Sequence, residues 1–387
     1  MSLYTTPLQF GYFLALLFAV LLWYRGWREE RLSDKLLGWI LFFLAMEIQD
    51  YTFGFAGINI LWEKFDGFPR YFHLAFAPTI YLYLKAQINR EFRLKAVHLL
   101  HYGPYFLYFS ISIVVFVQGK AALHQFRIST LSNWLGWLET VAIWASYIYY
   151  FYQLLRIYRA YRKWTKSQFS DIELVSFIWL RNFIYLIIAG EVFKYVWHVA
   201  DMALGDLPFE QDWWWHLFTV AIIAYVGIRG YAQPQPKKLV FDQAPLEVIQ
   251  VPPFNLPAST AKDEAVADVN YAIWKAKIDK LMHDDKVYLE PELTLSDLAN
   301  RLKTNGSVLS GVINGGYGKN FNDFVNEFRV EEFKRRRKDP DNQHLSLLGI
   351  ALDCGFNSKA TFNRAVKKFT GTSPKNYLEA VENEFPS

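Results

Sequence analysis

The chain has 387 residues, of which 52% are hydrophobic, 18% aromatic and 20% charged, with a formal net charge of +4. That apolar and aromatic content does not fit an ordinary soluble protein, and so small a net charge identifies no partner by itself. The single cysteine, Cys354, excludes an internal disulfide and reads as a small residue in the core of a helix.

Seven apolar stretches precede Gln233, at 8–24, 36–57, 70–87, 97–117, 134–155, 176–199 and 213–230. Most have the roughly 20 residues that a bilayer-spanning helix needs. The third is the weakest, since Pro78 and the flanking Arg70 and Lys85 shorten it. A buried soluble core accounts for one or two such stretches, not for seven in succession. The first has neither a basic n-region nor a small-residue cleavage site, so it reads as a retained helix and not a signal peptide.

Lys and Arg alternate between the connections. Arg25, Arg28, Arg31 and Lys35 follow the first stretch, Lys85, Arg90, Arg93 and Lys95 the third, and Arg156, Arg159, Arg162, Lys163 and Lys166 the fifth. The other connections are poor in both, and the one from Asp201 to Asp212 is acidic. By the positive-inside rule the N-terminus is outside and the C-terminus cytoplasmic. Trp23, Tyr24 and Trp27 at the end of the first stretch, and Trp213, Trp214 and Trp215 at the start of the seventh, sit where interfacial aromatic belts are expected.

Ionisable residues inside such stretches need a reason, because each costs a few kcal/mol at the bilayer centre. Glu47 and Asp50 share a face of the second stretch, and Glu191, Lys194 and His198 share a face of the sixth. Two readings stand side by side. The five residues pair between helices and hold the bundle together, or they line a polar pocket, open to the outside, for a small-molecule signal. His98 and His101 lie at the opposite end from Glu191 and His198, so no metal site and no cofactor is expected.

From Tyr231 to about 269 the composition changes. Pro234, Pro236, Pro245, Pro252, Pro253 and Pro257 describe a semi-extended linker, too loose to act as a rigid lever. A signal passing along it would act through proximity or oligomeric state. The segment Asn270–His283 is a helix with Tyr271, Trp274, Ile278 and Leu281 on one face, fit to open the next domain or to form a dimer seam.

Two helix–turn–helix patterns follow. In the first, Thr294 or Ser296 caps a helix with Leu298, Ala299 and Leu302 inward, Asn305-Gly306 makes the turn, and Ser307–Asn314 is a second helix ending at Gly315-Gly316. A long helix from Phe321 to the run Lys334-Arg335-Arg336-Arg337-Lys338 joins it to the second. There Leu347, Ile350, Ala351 and Cys354 are spaced for one helix face, Gly355 suits a left-handed cap, and Asn357 or Ser358 caps the next helix. That helix turns Phe362, Val366 and Phe369 inward and Lys359, Asn363, Arg364, Lys367 and Lys368 outward, and Gly371 ends it before Ser373-Pro374. A helix presenting amide and basic side chains in this way suits a DNA major groove.

Gly355-Phe356-Asn357-Ser358, then Phe362 and Arg364, then Phe369, Gly371, Ser373-Pro374 and Tyr377 resemble the second helix–turn–helix of the AraC/XylS family of bacterial transcription regulators. The resemblance covers 287–380 and leaves the first 230 residues untouched. It implies double-stranded promoter DNA and RNA polymerase as partners, with two recognition helices in successive major grooves. Base-facing positions would be Ser307, Ser310 and Asn314 in the first unit, with Gly311 among them, and Lys359, Ala360, Asn363, Arg364 and Lys367 in the second. Arg364 suits guanine, or equally a phosphate, and Asn363 suits adenine. Arg335, Arg336, Ser358 and Lys368 are expected to contact phosphate. Glycine reads no base and serine discriminates poorly, so the second unit should dominate specificity. From Asn270 onward 18 Lys and Arg stand against 16 Asp and Glu, a difference of +2, so binding must depend on where the charges sit.

The expectation is an all-helical protein: a seven-helix transmembrane sensor bundle over 1–230, a linker over 231–269, and a double helix–turn–helix domain over 270–387. It would be a non-enzymatic, membrane-tethered regulator of the bacterial inner membrane, with lipid around its bundle and a homodimer as a further expectation. Two rivals are a membrane interaction protein whose helix–turn–helix domain binds a protein, and a membrane enzyme with an attached regulatory domain.

Overall fold

The computed structural model describes residues 5–172, 175, 177–204, 212–233, 241, 261–342 and 344–377. Among the described residues the regular elements are all helices, with isolated bridge positions at Asn89 and between Phe169 and Thr294 in an antiparallel pair. In chain order the helices are α1 (Thr5–Arg28), α2 (Leu32–Phe55), α3 (Ile60–Glu63), α4 (His73–Ile88), α5 (Ala96–Leu99), α6 (Gly103–Val117), α7 (Lys120–Arg127), α8 (Thr130–Gln168), α9 (Ile178–Leu204) and α10 (Trp213–Ala232). The C-terminal set is α11 (Ala261–His283), α12 (Leu295–Arg301), α13 (Gly306–Tyr317), α14 (Phe321–Lys338), α15 (Leu347–Asp353) and α16 (Lys359–Thr370). Contacts divide the chain into two units, 1–158 with 178–242, and 159–177 with 243–387.

In the first unit α1 packs on α2 and α10, α2 on α4 and α10, and α9 on α10. Small residues permit the close approaches. A Cβ on Gly227 would stand 2.4 Å from the Phe18 ring, and one on Gly11 would stand 2.5 Å from Val220. Four stretches among the described residues are long and apolar enough to cross a membrane: Thr5–Arg28, Leu32–Phe55, Ala96–Val117 and Ile178–Asp201. The other three expected spans fall on α4, which has 16 residues with Pro78 inside it, on α8 with 39, and on α10 with 20. The interior is mostly apolar but holds several polar residues, and the exterior is apolar too. Asp34, Gln49, Asp50, Thr79, His216 and Thr219 are buried, while Phe10, Leu17, Leu107, Val114, Trp137 and Val196 are exposed.

The second unit has two cores on one shared helix. The N-terminal half of α14, through Phe321, Phe324 and Val325, packs with Ile278 and Met282 of α11, Leu298 of α12 and Leu309 of α13. Its C-terminal half, through Val330 and Phe333, packs with Ile350 and Cys354 on one side and Phe362 and Val366 of α16 on the other. α11 thereby packs into the first of these cores, and it begins at Ala261, inside the stretch read as linker; 234–240 and 242–260 lie outside the described residues.

Local signals set the helix ends. Thr294 caps α12 in a reciprocal capping box with Asp297, and Asn305, Asn320, Ser346 and Ser358 cap α13 to α16 through side-chain oxygens. Gly355 has φ +88° and Gly371 φ +81°, left-handed as the spacing predicts. α13 differs from expectation: it runs through Gly315 and Gly316 to end at Gly318, with φ +63°. The glycine pair serves packing instead. A Cβ on Gly316 would lie 2.4 Å from the Tyr271 hydroxyl, which donates to the Val312 carbonyl at 3.0 Å.

Candidate nucleic-acid interface

α16 is amphipathic as its spacing predicts. Phe362 and Val366 are buried, whereas Lys359, Ala360, Asn363, Arg364, Lys367 and Lys368 are all exposed. Ser358 accepts from the Thr361 N–H at 3.2 Å and so holds the N-terminal turn that a phosphate would approach. Arg364 lies along its own helix, its Nε 3.3 Å from the Ala360 carbonyl and its Nη2 3.4 Å from the Thr361 hydroxyl. On α13, Ser307 is exposed, Ser310 and Asn314 are half-buried, and the Asn314 amide donates to Ser310 at 3.2 Å. A Cβ on Gly311 would meet nothing within 4 Å, so this helix has open space where a reading residue would stand.

Three of the residues expected on phosphate are engaged inside the unit. Arg335 binds the Glu332 carboxylate through Nε at 2.9 Å and Nη2 at 2.7 Å, and Arg336 reaches the same carboxylate at 2.9 Å. Lys368 pairs with Asp323 at 2.5 Å. The cause is helical spacing, which puts Glu332 three and four residues before the two arginines. Hydrogen bonds from Arg335 first, and then Arg336, hold the Glu332 carboxyl at about 2. Burial pushes the Cys354 thiol up to about 12, as fits a core residue.

Arg329 is a central side chain that the sequence pattern hides. It is fully buried at the middle of α14, between the two cores, and donates to the carbonyls of Tyr288 and Glu290, both at 2.7 Å, and to the Ser170 hydroxyl at 3.2 Å. Burial lowers its guanidinium to about 10, against the opposing charge of Asp171.

In the first unit, four of the five pocket residues have described side chains. Glu47 binds His73 Nε2 and Lys194 Nζ, both at 2.6 Å. Glu47 and Glu191 line a cavity of about 40 Å³ with Phe43, Phe72, Tyr147 and Trp215, which is room for a few waters. Asp50 instead pairs with Arg70 through both carboxylate oxygens at 2.9 Å and accepts from Tyr71. The His198 side chain lies outside the described residues. Sequence spacing missed His73, whose apolar neighbours make it look like part of a weak span.

Helix pairs α12–α13 and α15–α16 on one shared helix give the C-terminal part of the chain the make-up of an AraC-type helix–turn–helix domain. The family model described as "Helix-turn-helix domain" matches residues 298–380. A Bacillus subtilis (strain 168) protein described as the uncharacterized HTH-type transcriptional regulator YtdP is 30% identical over 120 residues, covering 31% of this chain and 15% of that protein. Proteins of Staphylococcus aureus strains COL and N315, also described as uncharacterized HTH-type transcriptional regulators, are 34% identical over 106 residues, covering 25% of this chain and 14% of theirs. The chain thus spans 14–15% of the length of these curated relatives. No solved structure matches it.

Proposed function

We propose that the chain is a membrane-tethered one-component transcription regulator. Residues 1–230 form a seven-span sensor bundle with the N-terminus outside, 231–269 connect it, and 270–387 bind promoter DNA in the cytoplasm of a bacterium. The observation that carries this reading is the outward face of α16, with Lys359, Ala360, Asn363, Arg364 and Lys367 exposed on a helix capped at both ends. Asn363 and Arg364 read bases, while Ser307, Ser310 and Asn314 anchor the first unit. Ser358 receives a phosphate at the helix N-terminus; Arg335, Arg336 and Lys368 do so only on leaving Glu332 and Asp323. The exposed apolar faces of α1, α6 and α8 support lipid around the bundle. The intramembrane polar residues Glu47, Glu191 and Lys194 are where a small-molecule signal is met. RNA polymerase and a second copy of the chain complete the set of partners.

The internal pairing of Arg335, Arg336 and Lys368 favours a second reading, in which this domain binds a protein. Salt dependence separates the two. Full-length protein in lipid nanodiscs should bind duplex DNA with log affinity falling linearly in log salt, by about 0.9 per phosphate contact. Loss of binding in an Asn363→Ala, Arg364→Ala variant supports groove recognition. A flat salt response, or binding indifferent to those substitutions, contradicts it.

A further inference from the structure

The second unit contains a stretch that the sequence assigns to the bundle. Arg159–Phe177, read as the connection between the fifth and sixth spans, belongs to the C-terminal unit, and α8 continues into it to Gln168. Directly after α8 the chain runs extended against the helix–turn–helix elements. Phe169 pairs with Thr294 in the antiparallel bridge, and the Ser170 N–H donates to the Leu293 carbonyl at 3.1 Å. The Ser170 carbonyl accepts from the amides of Asn322 at 2.6 Å and Asn326 at 3.1 Å. Its hydroxyl accepts from Arg329, and the Thr361 hydroxyl donates to the Asp171 carboxylate at 3.2 Å. Ser170 is 0% exposed and Asp171 8%. One short segment therefore touches the entry to α12, the joining helix α14 and the recognition helix α16.

Two features of this contact oppose DNA binding. The Thr361 hydroxyl that meets Asp171 also meets Arg364 Nη2, on the side chain expected to read a base. Asp171 also places a carboxylate beside the first turn of α16, where the positive end of the helix dipole favours an incoming phosphate. Both anions compete for one helix end.

We propose that the surface formed by Leu293, Asn322, Asn326, Arg329 and Thr361 is a docking site for residues 169–171 of the same chain, and that the docked segment keeps the domain in a weakly DNA-binding form. A change in the bundle reaches DNA by drawing on α8, not through the proline-rich stretch. The proposal rests on the DNA-binding reading above. A brace that merely stabilised the domain would make the opposite prediction for Asp171, since its removal would then weaken DNA binding.

The test uses full-length protein in lipid nanodiscs carrying Phe169→Cys and Thr294→Cys. Facing residues of an antiparallel pair have Cα atoms about 4.5–5.5 Å apart, within disulfide reach. Cys354 is buried and does not compete. The probe is a pool of random-sequence duplexes selected on wild-type protein. The disulfide should form on oxidation, binding should fall roughly tenfold, and reduction should restore it. Asp171→Asn, which keeps an acceptor oxygen and removes the charge, should bind several-fold more tightly than wild type. Failure of the disulfide to form overturns the docking. Equal binding in the oxidised and reduced states, or weaker binding by Asp171→Asn, overturns the inhibitory role. Absence of binding even in the reduced and wild-type proteins overturns the DNA-binding reading itself, and the inhibitory contact with it.

Discussion

Arg335 is held by Glu332 one turn earlier on α14, with both ends of the guanidinium fork on the two carboxylate oxygens, at 2.9 and 2.7 Å. Such a bidentate pair is among the stronger side-chain contacts. It competes with the phosphate that the basic run at 334–338 would otherwise meet. Glu332→Gln should therefore lower stability by about 2 kcal/mol and steepen the salt dependence of DNA binding, by about 0.9 in slope for each arginine released. Parallel unfolding and binding titrations check both effects.

The same pair sets a pH dependence. Glu332 sits at about 2 in the folded protein, below the ordinary 4.5, because Arg335 and Arg336 favour its charged form. A depressed carboxyl contributes stability that is complete above its unfolded value and lost as pH falls from about 4.5 to about 2. Circular dichroism during acid titration should show a loss in that window for the wild type and a smaller one for Glu332→Gln.

Gly355 and Gly311 should respond to alanine in opposite directions. At Gly355 the backbone is left-handed and a Cβ would lie 2.6 Å from the Tyr288 carbonyl, so Gly355→Ala should cost roughly 2–4 kcal/mol. At Gly311 the helix is regular and the space is open, so Gly311→Ala should gain roughly 0.5–1 kcal/mol. Chemical denaturation measures both.

Arg329→Met should be severe. It leaves the carbonyls of Tyr288 and Glu290 without their donor in a buried site and strips Asp171 of a nearby cation. Breaking a buried charged network from one side costs roughly 3–5 kcal/mol. Hydrogen exchange of the α14 amides in the full chain should accelerate accordingly.

In the bundle, Glu47→Leu alone should destabilise, because Lys194 and His73 lose their carboxylate. Lys194→Leu added to it should recover part of the loss. Thermal unfolding in detergent of the two single variants and the double variant gives the coupling directly.

The parts legible in the sequence were those coded within a few residues. Ser358, Gly355 and Gly371 mark the ends of α15 and α16 because caps and left-handed glycines act locally. The outward face of α16 followed from a 3.6-residue period. Long-range pairings left no such mark. Glu47 meets His73 from 26 residues away, and Ser170 meets Asn322 from 152. The extent of α8 was underread for another reason: hydropathy falls after residue 155, while helical spacing continues through the basic residues to Gln168. Gly315 and Gly316 misled because glycine serves close approach as readily as it ends a helix.

The most direct test of the account is genome-wide crosslinking of the full-length protein to DNA in cells, compared with the Asn363→Ala, Arg364→Ala variant. Discrete promoter peaks in the wild type that vanish in the variant are the predicted result, and they would assign α16 as the reading helix of a membrane-tethered regulator. Absence of peaks in the wild type, or peaks that persist unchanged in the variant, would contradict it.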